Sequence, residues 1–187
     1  MSNFAIDMIL AQTLIQLKAF ARQDGAILGI VWIVSFASIV LSPQTSWGNI
    51  IALTTPFIVG WRLCRFRDYA LDGVISFRRG LAYSWYTFFY ASLLFAIAQY
   101  VYFRYLDNGT MTSMLLQTVK AMTPIYKQHG VSTAEITQAV NMFTSLKPIQ
   151  LTFMFMMNNI FMGLILSLPI SAICARRVSK TNLTKNN

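Results

Sequence analysis

Four long stretches of this chain carry almost no charge, and the basic residues between them are distributed with a strong bias. Residues 25–41, 48–64, 81–103 and 149–175 are candidate spans, the first barely long enough to cross about 30 Å of hydrocarbon as a helix. In that medium every backbone polar group has to be bonded within the chain, so stretches of this kind fold as helices. Eleven basic residues then fall on one side (Lys18, Arg22, Arg62, Arg65, Arg67, Arg78, Arg79, Arg176, Arg177, Lys180 and Lys185). Four fall on the other: Arg104, Lys120, Lys127 and Lys147. Basic residues near span ends stay on the cytoplasmic side, which predicts both termini inside and residues 104–148 on the outer side. The expected fold is an all-α integral membrane protein of four transmembrane helices.

Composition supports one membrane domain over residues 1–187. Hydrophobic residues make up 56% of the chain and charged residues 11%, whereas a soluble domain carries about a quarter charged residues. The formal net charge of +9 raises the question of nucleic acid. The basic residues sit at span ends, without the single basic face and stacking aromatics that nucleic acid requires, so the expected counterpart is anionic membrane lipid. Cys64 and Cys174 both fall near cytoplasmic span ends, where a structural disulfide is disfavoured, and are expected to be inert packing residues. The N-terminus does not read as a signal peptide, because Asp7 interrupts the early apolar residues and Lys18 and Arg22 follow them. Ile6, Ile9, Leu10, Leu14, Leu17 and Ala21 recur at helical spacing, which predicts an interfacial amphipathic helix over 1–23.

The second span is the least apolar. Pro56 removes a backbone donor there and predicts a kink whose freed carbonyls need neighbouring helices or Thr hydroxyls. In the outer segment, Met111, Met114, Leu115, Thr118, Val119 and Met122 mark one helix. Ser132 followed by Glu135 is a capping-box pattern that starts another, ending before Pro148. The two are expected to form a helical hairpin joined at His129 and Gly130.

Helices in a bilayer associate through small residues and interhelical hydrogen bonds. Gly25 and Gly29 form a GxxxG pair, and Asn159, Gly163, Ser167 and Ser171 recur every four residues on the last span. Both sets are expected to make helix contacts, with Asn158, Asn159 and Gln99 the candidates for a polar cavity. Arg62, Arg65, Arg67, Arg78 and Arg79 crowd eighteen residues together with Asp68 and Asp72. Planar guanidinium forks suit phosphate, so these arginines are the candidate lipid-phosphate or partner-binding set. The plainer alternative is topological anchoring, with Asp68 and Asp72 neutralising adjacent arginines. Arg62 lies within the apolar second span and has to snorkel or find a partner. With no zinc-ligand pair, phosphate-binding glycine loop or GxSxG elbow, the chain is expected to be non-enzymatic and to need no metal or cofactor. His129 reads as solvated.

Several of these residues carry a resemblance. Asp24-Gly25-Ala26-Ile27-Leu28-Gly29, Pro56-Phe57, Arg67-Asp68 followed by Gly73-Val74-Ile75-Ser76-Phe77, and Tyr100-Val101-Tyr102-Phe103 resemble, in order and over nearly the whole chain, the family called domain of unknown function 4199. The resemblance implies a four-span protein of the inner membrane of Gram-negative bacteria, and a genomic association with membrane-bound glycosyltransferases. The expected function is therefore an accessory or scaffold partner of an envelope enzyme such as a polyprenyl-phosphate glycosyltransferase. The alternative is a lipid-linked-sugar translocase acting as a homo-oligomer, with its path along Asn158, Asn159, Gln99 and the kinked second span.

Overall fold

The computed structural model describes residues 3–130 and 132–176, with the backbone alone over 3–11. The side chains of Ile6, Ile9 and Leu10, and all of Arg177, Lys180 and Lys185, lie outside the described residues.

Helix α1 runs unbroken from Asn3–Leu41. The structure thus joins the interfacial helix expected over 1–23 to the first span. The reason is local: Lys18, Ala19, Phe20, Ala21, Arg22 and Gln23 are helix-compatible and no proline interrupts them. At 1.5 Å per residue α1 is roughly 58 Å long, about twice the hydrocarbon thickness. Leu17 and Ala21 are buried in the protein core rather than presented to a membrane surface.

After a turn at Pro43 the chain comes back alongside α1 as two short helices, α2 (Trp47–Leu53) and α3 (Thr55–Ala70). The expected kink falls at Thr54, two residues before Pro56, where α2 gives way to α3 while Thr54 itself keeps helical dihedrals of −74° and −13°. Thr54 N and Oγ1 both donate to Ile51 O, at 3.1 and 2.6 Å. The return path is antiparallel to α1. Ser35 Oγ donates to Gly48 O (2.7 Å), Trp32 Nε1 donates to Thr55 Oγ1 (3.0 Å), and Arg62 reaches Asp24.

Helix α4 (Phe77–Val101) runs parallel to α1 and ends in a π-helical turn, Tyr102–Leu106, closed by Asp107 N donating to Tyr102 O. Helix α7 (Pro148–Cys174) runs antiparallel to α4. The result is an up-down-up-down arrangement in which α4 makes the two most extensive interfaces, one with α1 and one with α7. Three segments are long and apolar enough to cross a membrane: Gln12–Leu41, Phe77–Leu106 and Pro148–Cys174. The α2–α3 pair, broken and carrying charge in α3, does not meet that criterion.

Small residues set how closely these helices approach. A Cβ on Gly25 would lie 2.7 Å from Thr87 O and 2.7 Å from Tyr90 Cβ, and one on Gly29 would lie 2.9 Å from Leu94 Cδ2. A Cβ on Gly163 would lie 2.5 Å from Phe88 Cβ. The hydroxyls at these seams turn inward on their own helices: Thr87 donates to Tyr83 O, Ser92 to Phe88 O and Ser167 to Gly163 O. These hydroxyls therefore add no interhelical hydrogen bond, and at these positions the α4 seams are held by close packing.

Beyond the π turn, α5 (Thr110–Gln128) and α6 (Thr133–Thr144) form the expected hairpin, joined through His129 and a left-handed Gly130 at φ +81°. The Ser132–Glu135 capping box is complete: Glu135 N donates to Ser132 Oγ (3.2 Å) and Ser132 N to Glu135 Oε2 (2.7 Å). Phe143 of α6 meets Phe155 of α7 edge-on, with centroids 6.4 Å apart, and this aromatic contact links the hairpin to the bundle.

Two outcomes follow from these contacts. Gly163→Ala is expected to destabilise the bundle by about 1–3 kcal/mol through overpacking against Phe88. Gly60→Ala, whose nearest contact would be Ile170 Cγ2 at 3.9 Å, should leave thermal unfolding in detergent unchanged. At the hairpin, Ser132→Ala should cost about 1 kcal/mol of α6 stability. Bonds from the Ser132 amide and hydroxyl hold the Glu135 carboxyl below the usual range. The charged cap is thus fully formed above the ordinary glutamate value of 4.5 and is lost as pH falls through the lower folded value. NMR chemical shifts of residues 133–144 across acid pH would show this loss.

Candidate functional site

The end of the bundle where α1, α3 and α4 meet is organised by a carboxylate. Asp24 is 4% exposed. Its Oδ1 accepts from Arg62 Nε at 2.6 Å and from Arg62 Nη2, and its Oδ2 accepts from the Tyr83 hydroxyl. One side chain from each helix takes part. Tyr83 is fully buried and stacks on Phe66 with centroids 4.7 Å apart, and Phe66 in turn meets Phe20 at 5.1 Å. Arg62 therefore finds a partner rather than snorkelling alone. No motif in the sequence assigns a role to Asp24 or Tyr83. A signal was present, because only six carboxylates occur in the chain, and Asp24, at the start of the first span, stands level with Arg62 once the second span returns antiparallel.

Arg67 is also committed. Buried at the end of α3, it donates from Nε to Asp68 Oδ1 (2.7 Å), from Nη2 to Asp68 Oδ2 (3.0 Å) and from Nη1 to Cys174 O (3.0 Å). The last bond places a cation on a C-terminal carbonyl of α7, where the helix dipole favours it. The guanidinium holds the Asp68 carboxyl below the usual carboxylate range. Asp72 behaves differently from the expected neutralising role. It occupies a tight turn with Gly73, at φ 51° and 79°, closed by Val74 N donating to Leu71 O, and no arginine pairs with it among the described residues. Ile75 then makes an isolated antiparallel bridge to Arg176, and Ser76 caps α4 by accepting from Arg79 N at 3.4 Å.

The other arginines stay available. Arg65 is exposed, with its guanidinium carbon 5.4 Å from the ring centroids of both Trp61 and Tyr69. It borders a cleft of about 260 Å³ between α1 and α3, lined also by Phe20, Gln23, Asp24, Arg62 and Tyr69. Arg78 is exposed, and Arg79 is half-buried with its Nε lacking a hydrogen-bond partner among the described residues. No carboxylate pairs with Arg65, Arg78 or Arg79 among those residues. The five candidate arginines thus divide into two structural ones and three with uncommitted charge.

The structure does not bring the polar-cavity candidates together. Gln99 is buried on α4 with Oε1 unpartnered among the described residues, Asn159 is half-buried, and Asn158 is exposed on the outside of α7. Gly25 and Gly29 lie in the α1–α4 seam, while Gly163, Ser167 and Ser171 are buried in α7. His129 is exposed. Among the described residues no group of three or more His, Cys, Asp or Glu is placed to hold a metal ion. Cys64 and Cys174, 110 residues apart in the sequence, have their Sγ atoms 2.8 Å apart.

The arrangement describes a helical protein with membrane-compatible spans and an arginine-rich end. The chain belongs to the family described as Protein of unknown function (DUF4199), whose model matches residues 23–176. No curated protein matches it, and no solved structure does.

Removing one partner of a buried ion pair leaves a charge uncompensated and costs about 3–5 kcal/mol. Because Arg62 retains 19% exposure, Asp24→Ala should fall at the lower end of that range in thermal unfolding. Replacing both residues with leucine should restore most of the loss.

Proposed function

We propose that this is a non-enzymatic accessory protein of the bacterial inner membrane, which holds a phosphate-bearing lipid headgroup at its arginine-rich cytoplasmic end for an envelope enzyme. A polyprenyl-phosphate glycosyltransferase is the class of partner that the family resemblance suggests. The observation that carries this reading is Arg65. It is held between two aromatic rings, free of any carboxylate among the described residues, on the rim of a cleft whose floor is a neutralised Asp24–Arg62 pair.

The aromatic sandwich restricts the guanidinium before a ligand arrives, and its planar fork matches two phosphate oxygens. Trp61 and Tyr69 are themselves exposed, as expected of side chains at the headgroup level. Arg78 and Arg79 extend the same basic face at the start of α4. Four crossings are part of the proposal. The antiparallel return of α2–α3 from the Leu41 end of α1 to Asp24 supports a second passage, and the bias in basic residues supports a cytoplasmic side for both termini.

The test is extraction in native-lipid nanodiscs, with bound lipids and proteins quantified by mass spectrometry for the wild type, Arg65→Gln and Arg78→Gln/Arg79→Gln. Each arginine near an anionic surface contributes about 1 kcal/mol, so Arg65→Gln should lower enrichment of phosphate-bearing lipid roughly fivefold. Enrichment and co-purifying enzyme unchanged in both variants would overturn the proposal.

A further inference from the structure

We infer that Cys64 and Cys174 form a reversible dithiol–disulfide couple that fastens α3 to the end of α7. Their sulfurs lie 2.8 Å apart although 110 residues separate them in the chain. The two thiols are not equivalent. Cys174 is 3% exposed, with its sulfur 3.5 Å from Gly60 O, whereas Cys64 is half-buried. Cys64 also lines a surface depression of about 430 Å³ together with Trp61, Arg65, Asp68 and Tyr69. A small oxidant entering that depression meets Cys64 first and finds Cys174 directly behind it.

The geometry favours the pairing. Arg65 lines the depression, and Arg67, itself paired with Asp68, donates to the Cys174 carbonyl and so holds the end of α7 against α3. On the cytoplasmic side such a pair rests reduced and is oxidised transiently, which suits a redox-sensing role better than a structural one. This departs from the expectation of inert packing residues, which rested on the compartment without knowledge of the contact.

With a hydroperoxide as oxidant, the Cys64 thiolate attacks the peroxide oxygen and the O–O bond breaks. This yields a sulfenic acid on Cys64 and, after protonation, an alcohol, or water from hydrogen peroxide. The Cys174 sulfur then attacks the sulfenyl sulfur. Hydroxide leaves and takes up the thiol proton as water, and the S–S bond forms. The two sulfurs together lose two electrons, and the O–O bond accepts them. A dithiol reductant reverses the state by exchange, being oxidised to its own disulfide. The bond would join helices already connected by the Arg67–Cys174 hydrogen bond and the Ile75–Arg176 bridge, next to Arg65.

The experiment uses the full chain in nanodiscs, reduced, freed of reductant and treated with stoichiometric hydrogen peroxide. Maleimide labelling, intact mass and peptide mapping without reduction are the readouts. The expected result is loss of both thiols together, a mass lower by two hydrogens, a linked peptide pair containing Cys64 and Cys174, and recovery of both thiols with a dithiol. Cys174→Ser should leave a sulfenic acid on Cys64 that dimedone traps, and Cys64→Ser should leave Cys174 unoxidised. Two thiols that remain free in the wild type, or oxidation that joins separate chains or stops at Cys64 alone, would overturn the couple. The wild-type mapping needs no variant to fold. Lipid enrichment plays no part in it, so its outcome is separate from that of the headgroup proposal.

Discussion

One buried carboxylate fixes the relative placement of three helices. A charge on Asp24 is tolerable at 4% exposure only because Arg62 and Tyr83 supply donors to both of its oxygens. A buried ion pair contributes little net stability compared with apolar packing, and its recognised use is to exclude alternatives. Here the alternatives are registers. Sliding α3 along α1 by one turn would leave Arg62 and Asp24 both unpaired, and rotating α4 would withdraw the Tyr83 hydroxyl. The glycines of the seams add to this discrimination, because alanine or serine shifted into their place would bring a Cβ too close to the facing helix. Polar contact sets the register that close packing then fills.

Much of the architecture is legible in the sequence because the signals involved are local. An uncharged run needs no partner to declare a helix, and the Ser132–Glu135 box lies within four residues. The outer hairpin, joined at His129 and Gly130, appears where the pattern places it. The misjudged features are those decided by neighbours. The apolar periodicity over 1–23 suggests a separate interfacial helix, yet Leu17 and Ala21 pack into the same core as Leu28, and α1 continues through. Pro56 marks the disturbance correctly, but the sequence does not show that Trp32 of α1 fastens the start of α3 there, by donating to the Thr55 hydroxyl.

The candidate site was legible as a cluster and illegible as a set of roles. Five arginines in eighteen residues look alike in a sequence. Arg62 and Arg67 differ from the rest through Asp24, 38 residues away, and through the carbonyl of Cys174, 107 residues away. Neither distance leaves a trace in local spacing. The cysteines make the same point: compartment argued for inert thiols, and only the return of α7 beside α3 brings the sulfurs together.

The division among the arginines explains why the basic end has both a fixed and an available charge. Charges needed to hold helices together cannot also bind a ligand without weakening the bundle, because any anion that drew Arg62 away would strand Asp24. A ligand-binding arginine has to be one whose departure from solvent costs the fold nothing. Arg65 meets that condition, being oriented by Trp61 and Tyr69 rather than by a carboxylate, so its direction is set while its charge stays unspent. Since Arg65 follows Cys64 directly and shares its depression, the inferred bond between the two sulfurs would form beside the one arginine of the cleft that no carboxylate holds among the described residues. A single helix thus carries both kinds of arginine, with Arg62 and Arg67 committed to the fold and Arg65 exposed and free of a carboxylate among those residues.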